Sequence, residues 1–428
     1  MHMDINVKET LSVRNFVVIK KADIELKKLN IIIGPQANGK SLLAKLCFFF
    51  RNIPDKLVSS IRKLDTKREL DRALLADFEQ RFPRYSWEGS SFHIDYNIGA
   101  FRFEIEGKKN AKGKTTLYFR SCETFVKIFN GKKALLQRKT EEARTRAEAG
   151  HFSEWQLVND NIWAPLREEF GYLFGFPMFI PASRSFFANL QKNIFTFLAS
   201  NIEIDPFLKE FGSLYEHGKS IYNQRFLTRG NRAAYEQFQS ALEAIVCGKY
   251  EFQDDQDWIV SKNRKINLAH ASSGQQESLP MLITLTVWPI MRKLAGCTNM
   301  YFIEEPEAHL FPTSQSRIVT FLSQIMETTN SRIFITSHSP YILSAFNNLI
   351  LAHDKLSENK ITLSEFQEIN GPSFPLAFED VSAYTVSDGV SQNIANTEYR
   401  MIGADMLDNI SEHFEDVMNA LLTCGEDE

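Results

Sequence analysis

A glycine-rich segment near the start of the chain carries the residue types that bind phosphate groups. Residues 34–41 read GPQANGKS and match the pattern G-x-x-x-x-G-K-[ST] in full. In such a loop, backbone N–H groups face the β-phosphate at the N-terminus of the following helix. The residues whose backbone we expect to contact phosphate are Gly34, Asn38 and Gly39. We expect Lys40 to contact the β- and γ-phosphates and the Ser41 hydroxyl to coordinate Mg²⁺, so the predicted cofactors are ATP and Mg²⁺.

The residues around this loop predict the strand and the helix that a phosphate loop requires. Apolar residues at 29–33 indicate a strand directly before the loop, and residues 42–50 indicate an apolar helix directly after it. Two further short strands are predicted at 15–19 and 22–26. A chance glycine turn before a helix is the alternative, and the flanking strand and helix argue against it.

Two adjacent carboxylates follow an apolar strand in the second half of the chain. Residues 300–303 are apolar, and Glu304 and Glu305 come directly after them. One carboxylate of such a pair can hold Mg²⁺ while the other polarises a water molecule. Adjacent residues on a strand point to opposite sides, so the two need different partners. We expect Glu304 to act at the metal through a coordinated water and Glu305 to be the general base. A solvated strand end with two acids is the alternative.

Two further segments in the second half could contact an anion. Residues 271–275 read ASSGQ and stand at the start of an apolar helix, upstream of the acidic strand. A serine hydroxyl and glycine amides at a helix N-terminus form an anion site, although an ordinary serine N-cap explains the same residues. His338 follows a predicted strand at 332–336. Taken alone, a histidine at a strand end is more often a structural residue.

Composition and charge bound the class of protein. The chain has 428 residues, a net charge of -4 and 5 cysteines without CxxC or metal-type spacing. It is long enough for a sizeable core and not basic enough to predict nucleic-acid binding from charge alone. The scattered cysteines favour reduced thiols, and we find neither a signal peptide nor an apolar run long enough for a membrane span. We therefore expect a cytoplasmic protein with no membrane partner.

Together these motifs resemble the ABC-type ATPases of the AAA family. The phosphate loop, the ASSGQ segment, the acidic strand and the histidine occur in the order that this type uses. The ASSGQ segment resembles the L-S-G-G-Q signature, with Ala271 and Ser273 as departures. The resemblance implies that two heads pair, so that the signature of one copy meets the γ-phosphate held by Lys40 of the other. The signature residues that would bind nucleotide are Ser272, Ser273, Gly274 and Gln275. The resemblance also implies that His338 senses the γ-phosphate, and the implied catalytic residues are Lys40, Glu305 and His338.

Two motifs resemble the OLD-like branch of the SMC and OLD group: IEEPEAHL at 303–310 and TSHSP at 336–340. Residues 181–184, PASR, resemble a strand-end segment common in this branch, which implies that Arg184 lies near the nucleotide. The sequence shows no sustained heptads for SMC arms and no acidic metal cluster of a nuclease after His338. The chain therefore resembles the stand-alone PtuA-type ATPase subunits of bacterial antiphage systems of the Septu and retron kind.

The resemblance implies partners as well as an activity. It implies a homo-oligomer built from head-to-head dimers and a separately encoded effector, such as an HNH nuclease, that ATP hydrolysis controls. A RecF-like DNA-repair ATPase that clamps DNA is the alternative, so direct DNA binding stays open. A scaffold that holds ATP with negligible turnover is a third reading, kept open because Glu304 stands where aspartate is usual.

The alternation of strands and helices, together with this resemblance, predicts an α/β fold: a P-loop NTPase head of the ABC type with a mostly parallel sheet. The head would be divided between residues 1–51, with the phosphate loop, and 268–355, with the signature, the acidic strand and the histidine. Between them we expect inserted strands and helices folded over the nucleotide site at 52–176 and a helical subdomain at 177–267. A strand and helix extension is expected at 356–428.

Overall fold

The computed structural model describes most of the chain in long stretches. These are residues 7–146, 153–190, 204–222, 231–262, 264–293 and 297–403, together with residues 224, 227 and 418. Apolar residues at helical spacing also predict an amphipathic helix at 404–422, within the extension expected at 356–428. This segment lies outside the described residues, except for Met418. Within the described stretches, no helix is both long and apolar enough to cross a membrane.

The described elements alternate between strands and helices along much of the chain. The strands are β1 (Glu9–Phe16), β2 (Ile19–Leu26), β3 (Leu29–Ile33), β4 (Phe92–Ile98), β5 (Phe101–Lys109), β6 (Thr115–Ser121), β7 (Pro177–Ile180), β8 (Lys249–Gln253), β9 (Gln256–Ser261), β10 (Arg264–Asn267), β11 (Met300–Glu304), β12 (Arg332–Ser337), β13 (Val381–Ser387), β14 (Val390–Asn393), β15 (Ala395–Asn396) and β16 (Met401–Ile402). The α-helices are α1 (Lys40–Arg51), α2 (Ile53–Arg62), α3 (Lys67–Arg81), α4 (Glu123–Arg146), α5 (Glu154–Val158), α6 (Ala164–Phe170), α7 (Ser185–Leu190), α8 (Pro206–Tyr222), α9 (Arg232–Val246), α10 (Ser273–Met291), α11 (Pro312–Thr329), α12 (Pro340–Ser357) and α13 (Leu363–Asn370).

One large sheet organises these elements, with the strand order β6-β5-β4-β1-β2-β14-β13-β3-β12-β11-β7. Every neighbouring pair from β13 to β7 is parallel. Every neighbouring pair from β6 to β2 is antiparallel. The α/β class predicted from the sequence is confirmed. The strands that precede the phosphate loop, the histidine and the two acids, which are β3, β12 and β11, pair in parallel with both of their neighbours.

The parallel strands are covered on both faces. All residues of β3, β11 and β12 are buried, which is typical of parallel strands between two layers of helices. Because side chains alternate along a strand, Ile31, Ile303 and Ile335 pack into a core with α10, α11 and α12. Phe302 and Phe334 point the other way, into a second core with α1, α2 and α3. Packing in these two cores fixes the positions of the strand ends at which the motifs lie.

The first predicted strand, 15–19, is wrong. In the structure β1 ends at Phe16 and β2 begins at Ile19, so residues 17 and 18 form the turn of a hairpin. Val17 has a positive φ angle of 54°, as is common in turns, and Asn15, with a φ of 53°, has no partner in the pairing of β1 with β2. The apolar residues at 16–19 favour a strand, but Val17 and Val18 are exposed at the turn.

The inserted strands extend the large sheet. Strands β4, β5 and β6 continue it from the edge of β1, and the expectation that the insertion at 52–176 folds over the nucleotide site stays a prediction. Their alternating apolar residues, such as Ile94 and Phe103, join the core that contains α1. The helical subdomain expected at 177–267 contains α7, α8 and α9, but it also contains β7 and a three-stranded meander, β8-β9-β10, that leads into the signature segment.

Candidate functional site

The phosphate-loop sequence lies between β3 and α1, in the context predicted for it. Helix α1 begins at Lys40, after Gly39 with a φ of 94°. Gly34 has a φ of 144°, and a Cβ atom there would lie 2.5 Å from the carbonyl oxygen of Val386. Glycine is required at this position because the backbone of β13 approaches so closely. The loop is therefore backed by β13, a strand that the sequence analysis did not identify.

The turn between β13 and β14 also holds the loop. The side-chain oxygen of Asn38 accepts a hydrogen bond from the backbone N–H of Asp388 at 3.0 Å. The carbonyl oxygen of Gly389 accepts a hydrogen bond from the N–H of Lys20 at 2.8 Å, which ties the same turn to the β1–β2 hairpin. Asn38 thus has a structural contact through its side chain in addition to the backbone contact with phosphate expected of it.

Lys40 is almost fully buried inside the loop. Its Nζ donates hydrogen bonds to the carbonyl oxygens of Gly34 at 2.8 Å and Pro35 at 2.7 Å. Burial lowers the pKa of Lys40, and the nearby carboxylates of Glu305 and Glu307 oppose that shift. Phosphate oxygens are charged acceptors, which bind an ammonium group more strongly than neutral carbonyl oxygens do. A phosphate in the loop would therefore replace these two carbonyl contacts.

The two acids at the end of β11 have different partners. Glu304 is buried, and its Oε2 accepts a hydrogen bond from the N–H of Ala182 at 3.1 Å. Its Oε1 is buried without a hydrogen-bond partner among the described residues. Glu305 has a left-handed φ of 43° and donates its N–H to the carbonyl oxygen of Thr336 at 2.8 Å. Such a conformation costs about 1 kcal/mol or more in a residue other than glycine.

His338 lies between the lysine of the loop and the candidate base. Its Nδ1 is 3.5 Å from Nζ of Lys40, and its Nε2 is 3.3 Å from Oε1 of Glu305. Glu305 and His338 directly follow β11 and β12, and Lys40 follows the loop after β3; these three strands are neighbours in the parallel part of the sheet. The structure therefore brings the three predicted catalytic residues into one line of contacts.

Glu307 is a buried site residue to which the sequence analysis assigned no role. Its Oε1 accepts hydrogen bonds from the Ser337 hydroxyl at 2.6 Å and from the backbone N–H of His338 at 2.8 Å. Its Oε2 is buried without a hydrogen-bond partner in the described part of the chain. The available signal was a third glutamate in the stretch IEEPEAHL, next to two that had already been given roles.

Arg184 occupies a different place from the one the resemblance implied. The side chain is fully buried, and Nη1 donates to the carbonyl oxygen of Glu304 at 2.6 Å. Nη2 donates to the carbonyl oxygen of Glu305 at 2.9 Å, and Nε forms an ion pair with Glu277. Strand β7 ends beside β11, so the residues after β7 pack beneath the acidic strand end rather than in the phosphate loop. A direct contact of this guanidinium with nucleotide does not fit its burial.

The signature segment forms a helix N-terminus with a complete capping box. Oγ of Ser272 accepts from the N–H of Gln275 at 3.4 Å, and the N–H of Ser272 donates to Oε1 of Gln275 at 3.2 Å. A Cβ atom at Gly274 would lie 2.8 Å from the carbonyl oxygen of His309, so the glycine permits close packing on the loop after β11. Ser272 and Ser273 are exposed. In the described residues, no hydrogen bond joins this segment to the phosphate loop of the same chain.

A magnesium ion with its nucleotide fits the donors at this site. Among the described residues, no group of three or more His, Cys, Asp or Glu side chains is arranged to hold a metal. A cation here would need phosphate oxygens among its ligands, as is usual for Mg²⁺ at nucleotide sites. The Ser41 hydroxyl in the first turn of α1 and the unpartnered Oε1 of Glu304, the latter through water, are two protein oxygens that would take part.

Comparison with known families identifies the part of the chain that carries most of these residues. Residues 178–343 match the family model described as AAA ATPase domain. The matched part includes the signature segment, Glu304, Glu305 and His338, and it begins after the phosphate loop. Residues 178–343, which are less than half of the chain, are therefore similar to an AAA ATPase domain. A search among curated proteins found no significant match.

Solved structures of ATPase heads are among those similar to this chain. One is the Smc head bound to the C-winged helix domain of ScpA, at 12% identity over 92% of this chain and 99% of that chain, with a TM-score of 0.37. A second is the SMC head domain from Thermotoga maritima, at 10% identity over 91% and 98%, with a TM-score of 0.34. A third is the recombination mediator protein RecF of the RecFOR pathway, at 12% identity over 91% and 98%, with a TM-score of 0.32. Because these TM-scores are below 0.5, nothing about function or assembly follows from them.

Proposed function

We propose that this chain binds ATP with Mg²⁺ and hydrolyses it to ADP and phosphate. The observation that carries the proposal is the line of contacts from Lys40 through His338 to Glu305, at 3.5 Å and 3.3 Å. It joins a cation in a phosphate loop to a carboxylate that can accept a proton, with a histidine between them. These are the groups that phosphoryl transfer to water requires.

In the proposed reaction each side chain has one task. Lys40 leaves the carbonyl oxygens of its own loop and binds the β- and γ-phosphates, where it offsets negative charge. Glu305 accepts a proton from a water molecule as the water oxygen attacks the γ-phosphorus. The bond from that phosphorus to the β,γ-bridging oxygen breaks, and ADP leaves with the bond's electron pair. His338 hydrogen-bonds the γ-phosphate or the attacking water, while bound Mg²⁺ supplies charge neutralisation on the phosphates.

Nucleotide binding and hydrolysis in matched variants test this proposal. We expect Lys40→Ala to weaken ATP binding by about a hundredfold or more, because a buried cation at the phosphates is lost. Glu305→Gln should keep the Kd for ATP and lower kcat by about a hundredfold or more, since a general base contributes that much. Lys45→Ala is the control, because Lys45 lies on the same helix and pairs with Asp205 at 3.0 Å, outside the site. Turnover by Glu305→Gln at the wild-type rate would show that Glu305 is not the general base.

We further propose that two copies pair around ATP, with residues 272–275 of one copy against the γ-phosphate bound by the other. Two observations support pairing. Ser272 and Ser273 are exposed at the N-terminus of α10, where helix N–H groups favour an anion. The segment makes no hydrogen bond with the phosphate loop of its own chain in the described residues.

In the proposed biological role, hydrolysis controls a separately encoded effector, such as an HNH nuclease, in antiphage defence. This step rests on the resemblance of IEEPEAHL and TSHSP to the OLD-like branch. The alternative is a RecF-like ATPase that clamps DNA. Fluorescence anisotropy with labelled duplex DNA separates the two: ATP-dependent, salt-sensitive binding by the purified chain alone favours the clamp. Nuclease activity that appears only with a neighbouring gene product, and that changes in Glu305→Gln, favours the effector role.

A further inference from the structure

A buried ion pair joins the signature helix to the loop that follows β7. Glu277 lies in α10 shortly after the signature residues, and only 2% of it is exposed. Its Oε1 accepts a hydrogen bond from the N–H of Arg184, and its Oε2 accepts one from the N–H of Ser185, both at 2.9 Å. Nε of Arg184 lies 3.3 Å from the same carboxylate and donates to the Glu277 carbonyl oxygen at 3.0 Å. Side-chain and backbone contacts together fix this arginine to the signature helix.

The two terminal nitrogens of the same guanidinium bind the backbone of the two acids at the end of β11. Nη1 donates to the carbonyl oxygen of Glu304, and Nη2 donates to that of Glu305, which is the next residue. Glu305 is also the residue with the left-handed φ of 43°. Arg184 therefore binds the backbone where β11 ends and the candidate base turns toward His338.

The chemistry of this contact is specific to arginine. A fully buried charge is costly unless it is paired and hydrogen-bonded, and here Glu277 and the backbone carbonyls satisfy the guanidinium. Burial lowers the pKa of Arg184, and the surrounding carboxylates, with Glu277 first, oppose that shift. The planar guanidinium reaches two successive carbonyl oxygens and a carboxylate at once, which the single ammonium of lysine does not do.

We infer that Arg184 is a positioning residue that sets the catalytic geometry of Glu305 from the signature helix of the same chain. The inference rests on the proposed ATPase function and deepens it. A shift of α10, as its N-terminus engages the nucleotide of a second copy, moves Glu277 and with it Arg184. The carbonyl oxygens of Glu304 and Glu305 follow, so the candidate base of one copy responds to contact made by its own signature segment.

Separate measurements of the Kd for ATP and of kcat test whether Arg184 is a positioning residue. We expect Arg184→Lys and Glu277→Gln to leave the Kd for ATP within about threefold of wild type, because neither side chain reaches the phosphate loop. We expect kcat to fall by about tenfold or more in both variants, since the hydrogen bond from Arg184 no longer fixes the backbone of Glu305. Glu277→Gln keeps the shape of the side chain and an acceptor for one of the two backbone N–H groups, while it removes the charge, so it reports on the link even where Arg184→Lys folds poorly.

A second buried ion pair, between two strands of the large sheet, supplies the matched control. Arg332 at the start of β12 pairs with Glu9 in β1, and both side chains are buried. Arg332→Lys and Glu9→Gln should lower thermal stability as the Arg184 and Glu277 variants do, while kcat stays at the wild-type value. A wild-type kcat in Arg184→Lys or Glu277→Gln would overturn this inference and leave the proposed hydrolysis in place. A wild-type chain that binds ATP without turnover would overturn the proposed hydrolysis, and this inference with it.

Discussion

The carboxylate of Glu307 accepts a hydrogen bond from the backbone N–H of His338, with 2.8 Å between the two atoms. The same oxygen accepts the Ser337 hydroxyl at 2.6 Å. These contacts join the loop after β11 to the end of β12. The position of the histidine, and through it the line from Lys40 to Glu305, therefore depends on an acid that need not touch the nucleotide. Glu307 has the place of a positioning group rather than that of a base.

Replacing Glu307 by glutamine tests this assignment. Hydrogen bonds to a charged group contribute about 1.5–3 kcal/mol, against about 1 kcal/mol for neutral pairs, so Glu307→Gln should weaken the hold on His338. We expect kcat for ATP hydrolysis to fall by about tenfold, with the Kd for ATP nearly unchanged. Steady-state kinetics and a fluorescent ATP titration measure the two quantities.

Ser339→Ala is the control for this variant. Its hydroxyl caps α12 by accepting from the N–H of Tyr341 at 3.1 Å and donates to Gln315 at 2.6 Å. Its loss should lower stability by about 1 kcal/mol without changing kcat. If Glu307→Gln behaves as Ser339→Ala does, Glu307 only stabilises the fold.

Local patterns in the sequence were enough to place the core of the site. An apolar strand followed by a phosphate loop, by two acids or by a histidine predicts three strand ends, and carboxyl ends of neighbouring parallel strands meet at one edge of a sheet. Lys40, Glu305 and His338 meet in this way. Their contacts follow from the parallel register of β3, β12 and β11.

Other parts of the site depend on contacts between residues far apart in the chain, which local sequence patterns do not predict. Val386 backs Gly34 because β13 pairs with β3, a partner far away in the chain. The burial of Arg184 results from α10 and the end of β11 converging on it, and neither is close to Arg184 in the sequence. The turn at Val17 was predicted as part of a strand because valine usually favours strands, and the pairing of β1 with both β2 and β4 outweighs that preference.

Alanine at Gly34 should disturb the phosphate loop. The added Cβ would lie 2.5 Å from a backbone oxygen of β13, so either the strand or the loop has to move. The carbonyl oxygen of Gly34, which binds Lys40, would move with it. We expect Gly34→Ala to weaken ATP binding by about tenfold or more, since phosphate binding relies on aligned backbone N–H groups. Isothermal titration calorimetry measures the Kd.

Gly113→Ala is the matched control for Gly34→Ala. Gly113 also has a positive φ, of 80°, but nothing lies within 4 Å of a Cβ placed there. Its substitution should cost about 1 kcal/mol of stability from backbone strain and leave the Kd unchanged. Equal ATP affinity in the two variants would show that β13 does not shape the loop.

The buried cluster around Glu9 should make stability depend on pH in acid. Burial alone would raise the pKa of Glu9, but attraction from Arg332 and Arg51 outweighs it and lowers the pKa from 4.5 to about 2. A carboxylate with a lowered pKa stabilises the fold above pH 4.5, and that contribution is lost as the pH falls from 4.5 through about 2. The contribution is about 3 kcal/mol at neutral pH.

Urea unfolding at fixed pH values measures this dependence. The unfolding free energy of wild type should fall more steeply between pH 4.5 and about 2 than that of Glu9→Gln. The variant should be less stable at neutral pH, because Arg51 and Arg332 lose their shared carboxylate. Parallel pH profiles for the two proteins would contradict the lowered pKa of Glu9.

ATP-dependent pairing can be separated from simple helix capping because the chain offers a second capping box. Ser272 caps α10 with Gln275, and Thr362 caps α13 with Glu365 in the same arrangement. Alanine at either position should cost about 1 kcal/mol of stability.

Light scattering with ATP and Mg²⁺ should show even-numbered assemblies of Glu305→Gln, because bound ATP is not consumed. We expect Ser272→Ala to reduce these assemblies when combined with Glu305→Gln, and Thr362→Ala to leave them unchanged. If both alanine variants leave the mass and the ATPase rate equally unaffected, Ser272 is only a helix cap, and pairing through residues 272–275 is wrong.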